Sequence, residues 1–381
     1  MRPMALRISR SVHLPILLLA LAAGCGDATR PDPVPLHWGA GEDGLPIVAA
    51  AERGMDSVVL AELVERIEDG AYGHQTSLLV VRDGAVVAER YFNGMQPNVL
   101  HTQQSVTKSV TSLLVGLAVE QGAIPGVDAR VLPLLPQYTD VAHRGALKDS
   151  LAVEDLLTMR TGLDWEEWRY QGSPLQQLNE SRSDWLRFVL DWPMGEQPGT
   201  RFQYNSGGVI LLAGVIGTTT GTRADAFADE HLFGPLGITR AQWAHGYPDG
   251  LPHTGGGLWL RPRDMARIGM MVLDGGRWQG RQVVPAEWIA RSTAAHVTAG
   301  VGAMGSHPVE YGYLWWRTDL DHPTNPRRES GEVIFASGAR GQWIFIVPRH
   351  RLVVVATAEQ EGGPTALDYL YTHVLAAIIS A

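Results

Sequence analysis

The segment Gln104-Ser105-Val106-Thr107-Lys108-Ser109-Val110-Thr111-Ser112-Leu113-Leu114-Val115-Gly116-Leu117-Ala118 decides how the chain is read. Val106, Val110, Leu113, Leu114 and Leu117 recur at helical spacing, which predicts a buried helix. Ser105 stands at its start. Three residues of helix turn through about 300°, so Ser105 and Lys108 fall roughly 60° apart on one face, close enough for their side chains to meet. A serine hydroxyl becomes a good nucleophile when a neighbouring base takes its proton, and a lysine can be that base only when neutral. Burial and the partial positive charge of a helix N-terminus both push an amine toward the neutral form. Arginine could not serve, because its guanidinium stays protonated. Of the 31 basic residues only Lys108 and Lys148 are lysines, so a lysine here departs from the chain's habit.

Working outward, the chain alternates between strand and helix patterns. Ser77–Val81 and Ala85–Phe92 flank Arg82-Asp83-Gly84, and an Asp-Gly pair between apolar runs predicts a hairpin. Gln342–Val347 and Leu352–Thr357 bracket Pro348-Arg349-His350-Arg351 as a second hairpin, with a closing helix over Thr365–Ile379. The middle reads as helical. The expected fold class is therefore α/β: an antiparallel sheet from both chain ends, flanked by helices, plus a mostly helical inserted lobe. The sheet lobe is expected over about 47–100 and 310–381 and the helical lobe over about 101–309, with chemistry in the cleft between them.

A length of 381 residues, 45% hydrophobic and 19% charged, suits one large domain or two lobes. The net charge of −9 offers no basic field for nucleic acid, and a small-molecule substrate fits better. A Gly-x-Ser-x-Gly elbow and a His-Glu-x-x-His motif are both absent from the sequence, so neither an α/β-hydrolase triad nor a zinc site has a foothold. No metal and no cofactor are expected. Arg2, Arg7 and Arg10 precede the apolar run Leu14–Ala23, the layout of an export signal. Leu21-Ala22-Ala23-Gly24-Cys25 resembles the lipobox of bacterial lipoproteins. That resemblance implies a signal peptide over 1–24, lipidation of Cys25, membrane attachment through that lipid, and a place on the periplasmic side of the cell envelope, at the outer membrane. Residues 25–46, rich in Pro and Gly, read as a flexible tether to a domain over 47–381.

Ser105-Val106-Thr107-Lys108 resembles the Ser-x-x-Lys element of the serine β-lactamase and penicillin-binding protein superfamily. Leu156–Trp165, Pro198–Gly207, Leu232–Ile238, Gly256–Asp264, Tyr311–Trp316 and Gly338–Gln342 follow in the order of its class C-like branch, which includes esterases and 6-aminohexanoate-oligomer hydrolases. This likeness implies a β-lactamase/transpeptidase-like fold and catalytic roles for Ser105, Lys108 and Tyr204, the last a phenol facing the serine from the helical lobe. How Lys108 and Tyr204 share their proton stays open. It further implies an oxyanion hole from the backbone amides of Ser105 and Ala339, and substrate contacts at Ser206, Ser337 and Gly338. Two departures bear on substrate. Ser206 replaces the asparagine of the class C Tyr-x-Asn, and Ala336-Ser337-Gly338 lacks the Lys or His of the third element, leaving Arg340 as the nearest substitute anchor for a carboxylate. His253-Thr254-Gly255 mimics that third element but lies elsewhere in the order. Asp164–Trp168 reads as an exposed acidic turn, a substrate-binding loop or a lid, and Trp315-Trp316 as cleft wall or core.

The reading that follows is a serine hydrolase cleaving a simple ester or amide through an acyl-enzyme on Ser105. Its alternatives are a β-lactamase or D-Ala-D-Ala carboxypeptidase-like activity, and a non-catalytic envelope protein on the same fold.

Overall fold

The computed structural model describes Leu36 and residues 45–168, 171–246, 250–302, 305–361 and 366–379. The stretch expected to be an export signal, Cys25 and nearly all of the expected tether lie outside the described residues.

Eight antiparallel strands form the main sheet: β1 (Gln75–Arg82), β2 (Ala85–Tyr91), β3 (Val297–Gly302), β4 (Gly305–Tyr311), β5 (Trp316–Asp319), β6 (Glu332–Gly338), β7 (Gln342–Val347) and β8 (Leu352–Ala358). They run in the order β2-β1-β8-β7-β6-β5-β4-β3, so the two ends of the chain meet at β1 and β8. Asp83 and Gly84 both take positive φ, 47° and 77°, which the tight β1–β2 turn requires and an Asp-Gly pair supplies cheaply. The predicted second hairpin is β7–β8, closed through Arg351 at φ 47°. Strands β1, β7 and β8 are buried along their whole length, as continuous apolar runs must be when both faces of a sheet are covered. Helix α4 (Pro262–Leu273) lies across β1, β7 and β8, while α1 (Ser57–Glu68) packs against the turns at Leu370–Val374 that follow the short helix α5 (Ala366–Tyr369).

The helical lobe is built on α2 (Val106–Glu120), packed against α3 (Ser206–Thr220). Both are buried over most of their length, so neither shows the one-sided apolar stripe of a surface helix. Strand β3 and most of β4 come from the stretch that the sequence assigns to the helical lobe, which ends near 309. Val297-Thr-Ala-Gly-Val-Gly302 lacks a strong alternation, because pairing with β4 at one edge of the sheet holds it there rather than a buried apolar face. Helix α4 likewise belongs to the sheet's covering layer although its sequence falls in the helical stretch.

Candidate active site

The strand end of β6 and the start of α2 meet at Ser105. Gln104 adopts φ 46°, so the chain turns sharply into the helix, and Ser105 sits at the junction with φ −69° and ψ −7°. Gly338 makes the close approach possible: a Cβ there would lie 2.4 Å from the Gln103 carbonyl oxygen and 3.1 Å from the Gln104 Cβ. Only a glycine leaves room for β6 beside the segment that carries the serine.

Lys108 is 1% exposed, and its Nζ lies 2.9 Å from Ser105 Oγ and 2.5 Å from the carbonyl oxygen of Gly255. Burial pulls its pKa down to about 8, against an opposing pull from the Glu167 carboxylate. A neutral amine in this position donates to Gly255 and keeps its lone pair for the serine proton. Burial drives the Tyr204 phenol far above its ordinary range, the Glu167 charge adds to this, and a side-chain hydrogen bond with Ser105 opposes it. Of the two groups beside Ser105, the amine is therefore the one that loses its proton first. Lys108 Nζ stands 4.8 Å from the centre of the Tyr204 ring, which is itself stacked between Trp168 at 5.6 Å and Trp316 at 6.0 Å.

Ser105 and Tyr204 open on a cleft of about 680 Å³ walled by Trp168, Phe202, Trp316, the Ser337-Gly338 end of β6 and Ala339 just beyond it. Among the described residues, the backbone amides of Ser105 and Ala339 donate to no other backbone group, and both residues line the cleft.

Four expectations change. Ser206 does not face the cleft: its Oγ and its backbone N–H both donate to Glu167, each at 2.6 Å, so it serves that carboxylate instead of a substrate. Arg340 is half exposed with its guanidinium 3.9 Å from Glu359, and the arginine on the cleft rim is Arg201, bonded to Glu196 at 2.7 Å. The His253-Thr254-Gly255 stretch does take part, though from behind the base: Gly255 accepts from Lys108, while the His253 ring packs edge-on against Trp185 at 5.3 Å. Burial, helped by the Lys108 charge, holds His253 down at about 4. The Asp164–Trp168 turn is only partly exposed. Trp165 and Glu167 are buried in it, and Trp168 is 74% exposed at the cleft mouth. Trp316 walls the cleft and Trp315 is core.

Glu167, Arg201 and Phe202 are site residues that sequence reasoning did not single out. Glu167 sits in the acidic run Asp164-Trp-Glu-Glu-Trp168, where the flanking tryptophans were the available sign that part of the run is buried.

Comparison with known proteins agrees with this architecture. The profile of the beta-lactamase family matches residues 60–378, and the chain belongs to that family. The 6-aminohexanoate-dimer hydrolase of Paenarthrobacter ureafaciens is 26% identical over 310 residues, covering 78% of this chain and 74% of the relative. Among solved structures, a family VIII carboxylesterase superposes with a TM-score of 0.67 at 16% identity, over 87% of this chain and 98% of the other. A hydrolase with promiscuous acyltransferase activity gives a TM-score of 0.69 at 17% identity, over 87% and 98%. The chain thus falls in a beta-lactamase-fold hydrolase family whose neighbours include proteins named as an esterase and as a hydrolase of an amide-linked dimer.

Proposed function

We propose that the protein is a serine hydrolase that cleaves simple esters or linear amides through an acyl-enzyme on Ser105. The observation that carries this reading is the buried Lys108 amine 2.9 Å from the Ser105 hydroxyl, with its pKa drawn down to about 8. Lys108 takes the Ser105 proton as Oγ attacks the carbonyl carbon. The negative charge that develops on the carbonyl oxygen is held by the Ser105 and Ala339 amides. The Tyr204 phenol donates its proton to the leaving oxygen or nitrogen and is reprotonated from Lys108, so the departing alcohol or amine leaves neutral and the serine stays acylated. Water then runs the same steps in reverse, giving its proton to the pair and releasing the acid.

The walls argue for the substrate class. Trp168, Phe202 and Trp316 offer apolar, flat surfaces, whereas Ala336 brings no cation to the strand that lines the cleft. A substrate recognised by its carboxylate, as a penicillin or a D-Ala-D-Ala peptide is, would find no anchor on that strand. The name of the Paenarthrobacter relative and the carboxylesterase neighbour are compatible with either a linear amide or an ester. Purified protein is expected to hydrolyse short-chain p-nitrophenyl esters faster than nitrocefin, and Ser105→Ala to abolish both activities. Faster turnover of nitrocefin would reverse the substrate order and favour the β-lactamase alternative. The Leu21–Cys25 lipobox supports attachment of this hydrolase to the bacterial envelope through a lipid on Cys25.

A further inference from the structure

We infer that Glu167 is a positioning residue of this site: its buried carboxylate ties the Trp165–Trp168 turn to the start of α3 and supplies the counter-charge for the ammonium that forms when Lys108 takes the serine proton. The inference rests on the acyl-enzyme reading above.

Both carboxylate oxygens are committed. Oε1 accepts from Ser206 Oγ, while Oε2 accepts from the Ser206 backbone N–H and from Trp165 Nε1 at 2.9 Å. Ser206 is the first residue of α3, so the charge rests at the positive end of a long buried helix. The Trp165 ring reaches it by lying over Gly207, where a Cβ would come within 2.5 Å of the ring. Asn205 Oδ1 caps this helix through the Gly208 amide, and Glu167 meets the Ser206 amide, a second of the donors that a helix start leaves open. Among the described residues the groups that donate to Glu167 are Trp165 and Ser206, both neutral. Its charge is answered by neutral donors and remains free to act on the site.

Around Lys108 stand Ser105, the Gly255 carbonyl, Tyr204 and His253, with Glu167 as the carboxylate whose charge reaches it. Tyr204 and Tyr311 feel the same charge. His253 is held neutral near pH 7 and adds no cation. When the Ser105 proton moves to Lys108, a positive charge appears in a buried place, and Glu167 is the group set to stabilise it. The same carboxylate carries Trp168 into its stack on Tyr204, since the two residues are adjacent in the turn.

The test is the pH dependence of ester hydrolysis in Glu167→Gln, with Glu167→Asp as the conservative control. Removing the negative charge lowers the Lys108 pKa, so the acid limb of kcat/KM should move to lower pH by about half a unit or more, while the plateau falls at least about tenfold. Glu167→Asp should return the limb toward its wild-type position. A role limited to holding the turn would lower the plateau and leave the limb in place, and that result overturns the inference. Should Glu167→Gln fail to fold, Ser206→Ala decides. A carboxylate with one donor fewer holds the Lys108 ammonium harder, so the limb moves upward, and a limb that stays or moves down overturns the inference. Fluorophosphonate labelling of the same variants at Ser105 separates the two levels: no label on wild-type Ser105 removes the acyl-enzyme reading itself, whereas labelled protein with an unmoved limb removes only the role of Glu167.

Discussion

Replacing Lys108 by arginine keeps a cation at nearly the same reach and removes the capacity to be neutral. The structure sets the size of the expected loss. With a pKa of about 8, roughly a tenth of Lys108 is neutral at pH 7, about 300 times the fraction for an amine at its ordinary value near 10.5. An arginine has essentially no neutral fraction at any working pH. Loss of a positioned general base commonly slows a reaction about 10²–10⁴-fold, so kcat/KM of Lys108→Arg should fall at least about 100-fold, near 2.7 kcal/mol of transition-state stabilisation. Burial depresses the folded pKa of Lys108, and in the proposed mechanism its neutral form is the active one, so activity should rise as pH climbs through about 8 and fall away below it. The assay is initial-rate hydrolysis of p-nitrophenyl butyrate from about pH 3.5 to 10, with thermal melts to show that the fold is intact. Retention by Lys108→Arg of more than a tenth of wild-type activity, or an acid limb near pH 4–5, would refute the neutral-amine argument and point to a carboxylate base.

Three other outcomes are expected, two from the same geometry and one from the lipobox resemblance at Cys25. Gly338→Ala puts a methyl group 2.4 Å from the Gln103 carbonyl, so it should cost about 1–3 kcal/mol in urea unfolding and lower kcat by displacing Ser105. Lys148→Met should destabilise the fold by about 1–3 kcal/mol or more, read from the denaturation midpoint, with kcat unchanged. The second lysine is buried away from the cleft, with its Nζ on the carbonyl oxygens of Ala142, Leu190 and Trp192 at 2.9, 2.5 and 2.7 Å, and methionine would leave all three without their donor. Cys25→Ser in the expressing bacterium should end incorporation of labelled palmitate and release the protein from the membrane fraction; palmitate that persists would place the lipid elsewhere.

The parts legible in the sequence are those encoded by local chemistry. The Ser105–Lys108 pair follows from helical rotation alone, and the Asp83-Gly84 turn follows from two residues that tolerate positive φ. Resemblance contributed Tyr204, which the structure brings to Ser105 from a helix start 99 residues further along the chain. What the sequence hid was set by tertiary packing. Strand β3 carries little alternation and is the edge of the sheet, held there by its pairing with β4. Ser206 pointed to substrate by motif position, yet a carboxylate from a distant turn captured both of its donors. An acidic run looks solvated until one of its glutamates is found at a buried helix end, and no local periodicity announces that. Arg340 illustrates the converse: proximity in sequence to Gly338 placed it near the cleft, but its positive φ of 67° and the Glu359 carboxylate turn it aside.

The central claim, that Ser105 becomes acylated, is tested most directly by rapid quenching of the protein with p-nitrophenyl acetate, followed by intact mass and peptide mapping. One acyl group per chain on the peptide carrying Ser105, absent from Ser105→Ala, is the predicted result. Steady release of p-nitrophenol without a covalent adduct at any stage, or an adduct on another side chain, would contradict it.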